Sequence, residues 1–248
     1  MVILLADVGN SQIKWVFWDG VDYHHAGRAA HDNKNWDHLL ARLWARLPRP
    51  SRALIVSVAG VEAHAALTAW MGKHWHIEAE FIFSTTADHG IRNAYAEPGR
   101  LGADRWVAMI AAHAIVRQVC YVVDCGTAVT IDALAADGQH LGGVILPGIR
   151  LMRESLFRAT RQIPPETGEI QLFGDSTRDG VWGGAAYAVA AAIDGIIDRM
   201  VAIRGSGTRL LTGGDAEAIL PYLLDRYRWE PDLIFIGLRV AGRIFDRD

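Results

Sequence analysis

The sequence predicts an α/β protein whose two similar halves face each other across a cleft. An internal repeat is the first observation: the pattern Asp-x-Gly-Asn/Thr-Ser/Ala occurs at residues 7–11 and again at residues 124–128. Each copy follows a short apolar segment and opens a hairpin, so both turns are expected to look into the cleft. The second observation is that strand and helix patterns alternate along the 248 residues, a length that suits two small α/β units.

The first half, residues 1–118, opens with a hairpin. Runs rich in β-branched and aliphatic residues predict strands at residues 2–7, 13–18, 53–58 and 80–83. Apolar residues at helical spacing predict helices at residues 36–47, 62–74 and 101–118. Gly9, Asn10 and Ser11 form the turn between the first two strands, and Pro48 ends the first helix.

The second half, residues 119–248, repeats this opening. Strands are predicted at residues 120–124, 129–134, 141–146, 209–212 and 233–236. Helices are predicted at residues 149–159, 177–203, 216–226 and 238–245, with a loop containing two prolines at residues 161–173. The order of elements after the second hairpin again indicates an α/β unit.

The composition excludes several classes of partner. The formal net charge is −3 and no run of Lys or Arg marks a basic patch, so we expect no nucleic-acid partner. No segment is apolar for long enough to span a bilayer, and the apolar start lacks the basic lead of a signal peptide, so we expect no membrane partner. The two cysteines, Cys120 and Cys125, would point to opposite faces of one strand. Free thiols fit a reducing cytoplasm, where we expect the protein to act.

The hairpin turns have the residues of a phosphate-binding site. Their glycines let the backbone approach a ligand closely, and successive N–H groups in such a turn can surround an anion. Ser11 adds a hydroxyl donor, the Asp7 carboxylate suits Mg²⁺, and Lys14 can reach phosphate oxygens. A single copy fits a β-turn with local Asp and Asn hydrogen bonds equally well. Two equivalent copies, one followed by a lysine, favour phosphate binding.

These hairpins resemble those of the actin-like ATPase and sugar-kinase superfamily. The resemblance implies two ribonuclease-H-like halves, the actin-like ATPase fold. In that superfamily a strand ending in a Gly-Gly turn lies against the nucleoside, and Thr212-Gly213-Gly214-Asp215 matches this feature. The same four residues also fit a plain strand-to-helix turn with Asp215 as the N-cap. Both interpretations stay open.

A further motif, Leu101-Gly102-Ala103-Asp104-Arg105-Trp106, narrows the resemblance to one family. Together with residues 7–11, 124–130, 142–148 and 231–238, in this order and spacing, it is similar to the type III pantothenate kinases. The resemblance covers essentially the whole chain. It implies ATP-dependent phosphorylation of pantothenate to 4'-phosphopantothenate, the first step of coenzyme A synthesis.

The resemblance also implies roles for individual residues. ATP would be bound by Asp7, Val8, Gly9, Asn10, Ser11, Gln12, Ile13, Lys14 and Thr127. Pantothenate would be bound by Tyr95, Gly102, Ala103, Asp104, Arg105 and Thr177, with Asp104 as the general base. Asp124 would hold a monovalent cation, K⁺ or NH₄⁺, and Mg²⁺ would accompany ATP. Thr177 would reach the substrate within a homodimer. Ser11 replaces the more common threonine and keeps its hydroxyl.

Two of these roles have competing interpretations. Asp104 at a helix start is a weak base because the helix dipole favours the carboxylate, yet phosphoryl transfer needs little early proton removal. Asp104 would otherwise only stabilise the helix start. Asp124 would otherwise bind Mg²⁺ itself or only cap its turn.

Two alternative functions compete with pantothenate phosphorylation. One is phosphorylation of another small molecule by a kinase of the same superfamily, against which the pair Asp104 and Arg105 argues. The other is a regulatory protein like the Bvg accessory factors, which would keep the fold and lose catalysis. Such a protein is expected to lose one or more of five residues, Asp7, Lys14, Asp104, Arg105 and Asp124, and all five are present.

Overall fold

The computed structural model describes residues 2–159 and 167–244, and it divides this part of the chain into two compact units. Unit 1 contains residues 2–115 and 232–244, and unit 2 contains residues 116–231. The main difference from the halves predicted from the sequence, 1–118 and 119–248, concerns the C-terminal segment. The C-terminal segment belongs to unit 1, because its helix packs against strands of that unit.

Unit 1 is built around a five-stranded sheet in the order β3-β2-β1-β4-β5. Its strands are β1 (Ile3–Val8), β2 (Gln12–Trp18), β3 (Tyr23–Ala30), β4 (Arg52–Ser57) and β5 (Ala79–Phe81). Strands β1, β2 and β3 pair antiparallel, whereas β4 is parallel to both β1 and β5. The unit also contains the short pair β6 (Ala87–Asp88) and β7 (Ile91–Arg92), and the helices α1 (Trp36–Trp44), α2 (Val61–Trp75) and α3 (Ala103–Val116).

Unit 2 repeats this sheet in the order β10-β9-β8-β11-β12. Its strands are β8 (Cys120–Cys125), β9 (Ala128–Leu134), β10 (His140–Pro147), β11 (Thr208–Thr212) and β12 (Arg228–Trp229). Its helices are α4 (Ile149–Ala159), α5 (Thr177–Arg204) and α6 (Ala216–Ile219), and α7 (Leu233–Ala241) follows in unit 1. Three antiparallel strands followed by two parallel ones occur in both sheets. The prediction of two ribonuclease-H-like halves is therefore confirmed.

Tryptophans fill much of the core of unit 1. The Trp44 ring is fully buried and lies 5.5–6.1 Å from the rings of Trp15, Trp70 and Trp75. Edge-to-face and stacked pairs of this kind are favourable beyond the area that they bury. These tryptophans therefore form much of the core beside the sheet that carries the first hairpin.

The prediction of a strand at residues 233–236 is wrong, because these residues begin α7. A run of four apolar residues fits a buried helix as well as a strand, and only its neighbours decide. Gly237 brings α7 so close to α3 that a side chain there would overlap the Val107 carbonyl oxygen. The apolar pattern of residues 233–236 does not reveal this contact, because it joins two helices that are far apart in the chain.

Two other differences concern strands that were not predicted and one helix that is shorter than predicted. Strand β3 was not predicted because its exposed residues resemble a loop, and the two-residue strands β6, β7 and β12 were not predicted either. The helix predicted at residues 216–226 shortens to α6 and a 3-10 turn at Leu220–Tyr222, since Pro221 has no N–H to continue the helix. The predicted loop at 161–173 lies outside the described residues up to 166, as does residue 245 of the last predicted helix. Among the described helices, none has the length and apolar character needed to cross a bilayer.

Candidate active site

The first hairpin joins β1 to β2 through Gly9, Asn10 and Ser11. The Gly9 N–H donates to the Gln12 carbonyl oxygen at 2.9 Å, which closes the turn. Asp7 and Lys14 are directly opposed in the antiparallel ladder. Opposed residues project from the same face of a sheet, so the carboxylate and the ammonium group share one side of the hairpin. Both side chains are partly exposed.

A residue that the sequence analysis missed supports this hairpin. His31 follows β3, and its Nε2 lies 2.9 Å from the Gly9 carbonyl oxygen, which can only accept, so Nε2 is the donor. The His31 backbone N–H donates to the Ser11 carbonyl oxygen at 3.0 Å. No local pattern marks His31, because only the pairing of β2 with β3 brings it to the turn.

The second hairpin, between β8 and β9, resembles the first but has a shorter turn. Gly126 and Thr127 form its turn, and the Gly126 N–H donates to the Ala128 carbonyl oxygen at 3.0 Å. Asp124 is opposed to Thr130, as Asp7 is opposed to Lys14 in the first hairpin. The sequence repeat is therefore also a repeat in three dimensions, with one aspartate before each turn.

Two glycines pack tightly against the second hairpin. The Gly148 N–H donates to the Thr127 carbonyl oxygen at 3.0 Å, and a side chain at Gly148 would overlap the hairpin backbone. Gly213 has a φ of 101°, and a side chain there would overlap the Asp124 carboxylate. Any residue larger than glycine at either position would displace the hairpin.

The Gly-Gly turn after β11 therefore belongs to the site around Asp124. The Asp215 N–H donates to the Cys125 carbonyl oxygen at 2.8 Å. Burial, and secondarily the carboxylates of Asp124 and Asp215, raises the pKa of the Cys125 thiol. The thiol stays protonated, and both carboxylates act on it at this end of β8, where Asp215 also interacts electrostatically with the Arg153 guanidinium. Asp215 also stands at the N-cap position of α6, but its side chain makes no capping hydrogen bond there, and the nucleoside contact stays a prediction.

Asp104 lies in the first turn of α3, where the helix begins with a hydrogen bond from the Trp106 N–H to the Gly102 carbonyl oxygen at 3.1 Å. The Asp104 carboxylate folds back toward the helix start, and its Oδ1 accepts the Arg105 N–H at 2.8 Å. A side chain on Gly102 would come within 2.6 Å of this oxygen. Gly102 therefore leaves the space that the partly exposed carboxylate occupies.

Arg105 and Tyr95 meet although they are separated by ten residues. The guanidinium donates from Nη1 to the Tyr95 hydroxyl at 2.9 Å, and its carbon lies 5.7 Å from the ring centre. Arg105 is only 5% exposed, which is rare for a charged side chain. Such a guanidinium, fixed by a tyrosine, suits an anionic ligand, because arginine binds carboxylates through charge-assisted hydrogen bonds.

Thr177 is the first residue of α5 and is exposed. Its helix start is well fixed: Ser176 is the N-cap, and the Asp179 carboxylate accepts from the Ser176 hydroxyl and from the Glu169 N–H. The Ser176 hydroxyl, and then the Glu169 N–H, lowers the pKa of Asp179. Thr177, Asp124 and Thr127 are in unit 2, whereas the other predicted site residues are in unit 1.

Each hairpin offers one carboxylate, which suits a cation that is also bound by the phosphates of a nucleotide. Among the described residues, no group of three or more His, Cys, Asp or Glu side chains could enclose a metal ion. Single carboxylates, Asp7 in one hairpin and Asp124 in the other, are instead placed beside backbone turns. Mg²⁺ is commonly held by one or two carboxylates and substrate phosphates, so this arrangement fits it.

Comparison with known proteins agrees with these features. A family model described as type III pantothenate kinase matches residues 3–199. The type III pantothenate kinase of Nitrosococcus oceani is 38% identical, covering 97% of this chain and 94% of its own length. That of Dechloromonas aromatica is 39% identical, covering 96% of this chain and 98% of its own length.

Solved structures support the fold. A structure named for a Baf family transcriptional activator from Campylobacter jejuni is 21% identical, with a TM-score of 0.57 over 97% of this chain and 98% of its own. The activator of 2-hydroxyisocaproyl-CoA dehydratase from Clostridium difficile is 11% identical, with a TM-score of 0.56 over 97% and 94%. Both likenesses concern the actin-like ATPase fold alone. By the family model and by its relatives, the chain belongs to the type III pantothenate kinase family.

Proposed function

We propose that this chain transfers the γ-phosphoryl group of ATP to the hydroxyl group of pantothenate, which gives 4'-phosphopantothenate for coenzyme A synthesis. The observation that carries the proposal is the arrangement at the start of α3. A partly exposed carboxylate, Asp104, adjoins a buried guanidinium, Arg105, which Tyr95 holds at 2.9 Å. A base beside an anion-binding group suits an acceptor that carries both a hydroxyl and a carboxylate.

In this proposal Asp104 accepts the proton of the attacking hydroxyl. The transition state of phosphoryl transfer is loose, so the hydroxyl needs little deprotonation before the bond to phosphorus forms. A carboxylate that orients the hydroxyl and takes its proton late is sufficient. Arg105 and Tyr95 bind the acceptor and hold it in line with the phosphorus, which lowers the entropic part of the barrier.

The two hairpins bind the nucleotide in this proposal. Backbone N–H groups at Asn10 and Ser11 surround phosphate oxygens, Gly9 lets the backbone approach them closely, and Lys14 adds a positive charge. Asp7 would hold Mg²⁺ directly or through water, and bound Mg²⁺ would neutralise phosphate charge. Thr127 would touch the nucleotide from the second hairpin. We also place the enzyme in the cytoplasm, since Cys120 and Cys125 are free and buried thiols.

We assign the monovalent-cation site to Asp124, whose carboxylate lies beside the turn of the second hairpin and close to the Gly-Gly turn after β11. Phosphate transfer from ATP to pantothenate, measured by a coupled assay with Mg²⁺, is expected to be faster in K⁺ or NH₄⁺ than in Na⁺ by about tenfold, or ~1.4 kcal/mol of transition-state stabilisation. Ionic strength is held constant, so screening is the same in each salt. Equal rates in the three salts would refute the cation assignment, and no turnover from folded protein would refute the proposed function.

We further propose a homodimer through α4 and the residues around it. Several apolar side chains of this region are exposed, among them Ile145, Leu156, Phe157 and Phe173. Exposed large apolar side chains on β10, on α4 and just before α5 suit an interface between copies. Thr177 follows Phe173 closely in the chain, which suits its implied role at a partner's substrate.

Sedimentation velocity is expected to show a dimer for the wild type and a monomer for Phe157→Asp, because the charge would be buried in the interface. Val61→Asp is the matched control, since Val61 is 81% exposed on α2 in the other unit. It is expected to stay dimeric. A wild-type monomer at micromolar concentration would refute the dimer, and dissociation by both variants would refute the place of the interface.

A further inference from the structure

The segment between β5 and α3 carries Tyr95 and leads into Asp104. Within residues 82–102 the described regular structure is limited to the pair β6 and β7 and a 3-10 turn at Pro98–Arg100. Because so little of this segment is in regular structure, side-chain hydrogen bonds must fix most of it. The precision of the pantothenate site therefore depends on what holds this segment.

One side chain, Asn93, joins three parts of the segment. Its Nδ2 donates to the carbonyl oxygens of Thr85 and Pro98, each at 3.2 Å. Its Oδ1 accepts the Tyr95 N–H at 2.9 Å. The Asn93 backbone N–H donates to the Thr86 carbonyl oxygen at 2.9 Å. Both N–H groups of the side-chain amide and its oxygen are thus used within one segment.

These bonds lead directly to the groups that would meet pantothenate. Tyr95, fixed by Asn93 Oδ1, reaches Arg105 through its hydroxyl. The Pro98 carbonyl oxygen also accepts the Leu101 N–H at 3.2 Å, and Leu101 precedes Gly102 at the start of α3. The Asn93 amide therefore connects the tyrosine with the turn that begins the Asp104 helix.

We propose that Asn93 is a positioning residue of the pantothenate site, which holds Tyr95 and the turn before Asp104 at the distances that binding and transfer require. This role rests on the proposed function. The physical reason is that productive geometry tolerates little displacement, and a shift of about 1 Å in a positioned group can lower the rate by about 10²-fold. Asn93 touches neither substrate in this account.

The test compares Asn93→Asp and Asn93→Ala with the wild type. The aspartate has almost the same shape, but it replaces the two N–H donors by a carboxylate oxygen that faces two carbonyl oxygens. We expect kcat/KM for pantothenate to fall by about 10- to 100-fold in both variants, while KM for ATP stays within about twofold. Ser51→Ala is the matched control, because Ser51 also donates to a backbone carbonyl oxygen, that of Val2 at 2.8 Å, in unit 1. It is expected to change neither constant.

A second readout does not depend on turnover. Hydrogen exchange of the Tyr95 amide is expected to accelerate by about tenfold or more in Asn93→Ala, while exchange in α3 and in the sheet of unit 1 stays unchanged. The proposal is overturned if Tyr95 exchange is unaltered, or if both substrates' constants and the exchange of the whole unit change together. A wild type without pantothenate turnover would defeat the proposed function, and the exchange measurement would still decide whether Asn93 holds this segment.

Discussion

Asp104→Asn is expected to lower kcat for pantothenate phosphorylation by about 10²- to 10⁴-fold, the range that removal of a general base produces. The amide cannot accept the hydroxyl proton. Its oxygen can still accept the Arg105 N–H that Asp104 Oδ1 accepts at 2.8 Å, so the start of α3 is expected to stay folded. KM for ATP is expected to change little, because the assigned nucleotide residues lie on the hairpins.

Steady-state kinetics and thermal unfolding of the same preparations check this expectation. Asp37→Asn is the matched control, since Asp37 is also the second residue of a helix, α1, and is exposed. It removes the same favourable interaction with a helix dipole and is expected to leave kcat unchanged. Near-wild-type turnover of Asp104→Asn would leave Asp104 with a role in helix stability only.

The second large effect is expected for Arg105→Met, with kcat/KM for pantothenate lowered by about 10- to 100-fold. Hydrogen bonds to a charged group contribute about 1.5–3 kcal/mol each, and the buried guanidinium is the group placed to make them. Methionine preserves much of the side-chain volume at this position, where Arg105 is only 5% exposed. Most of the loss is expected in KM, because the interaction exists before and during transfer.

Arg105→Lys separates charge from geometry. Lysine keeps the charge but lacks the planar pair of donors, so it is expected to recover only part of the activity. Arg100→Met is the control, since Arg100 is an exposed arginine of the preceding turn whose ion pair with Glu97 is at the surface. Equal kinetics for Arg105→Met and wild type would remove Arg105 from the substrate site.

Several contacts of the site were outside the reach of sequence patterns. His31 lies 22 residues from the Gly9 carbonyl that it contacts, and β3 was itself missed because its polar, exposed residues do not alternate clearly. The contacts of Asn93 depend on the path of an irregular segment. Interactions of this kind are set by backbone turns and strand pairing, which apolar periodicity does not describe.

The sequence by itself determined the two hairpins, the repeat of one α/β unit, and membership of the type III pantothenate kinase family, all of which are confirmed. The hairpins and strands could be predicted because turn residues and short apolar runs are patterns of consecutive residues. The roles of Asp7, Asp104, Asp124 and Thr177 stay predictions. Only the tertiary structure decided that residues 233–241 form a helix of unit 1, because the close packing of Gly237 on Val107 depends on residues 130 positions apart. It also decided that Tyr95 fixes the buried Arg105, since that contact needs the fold of the whole intervening segment.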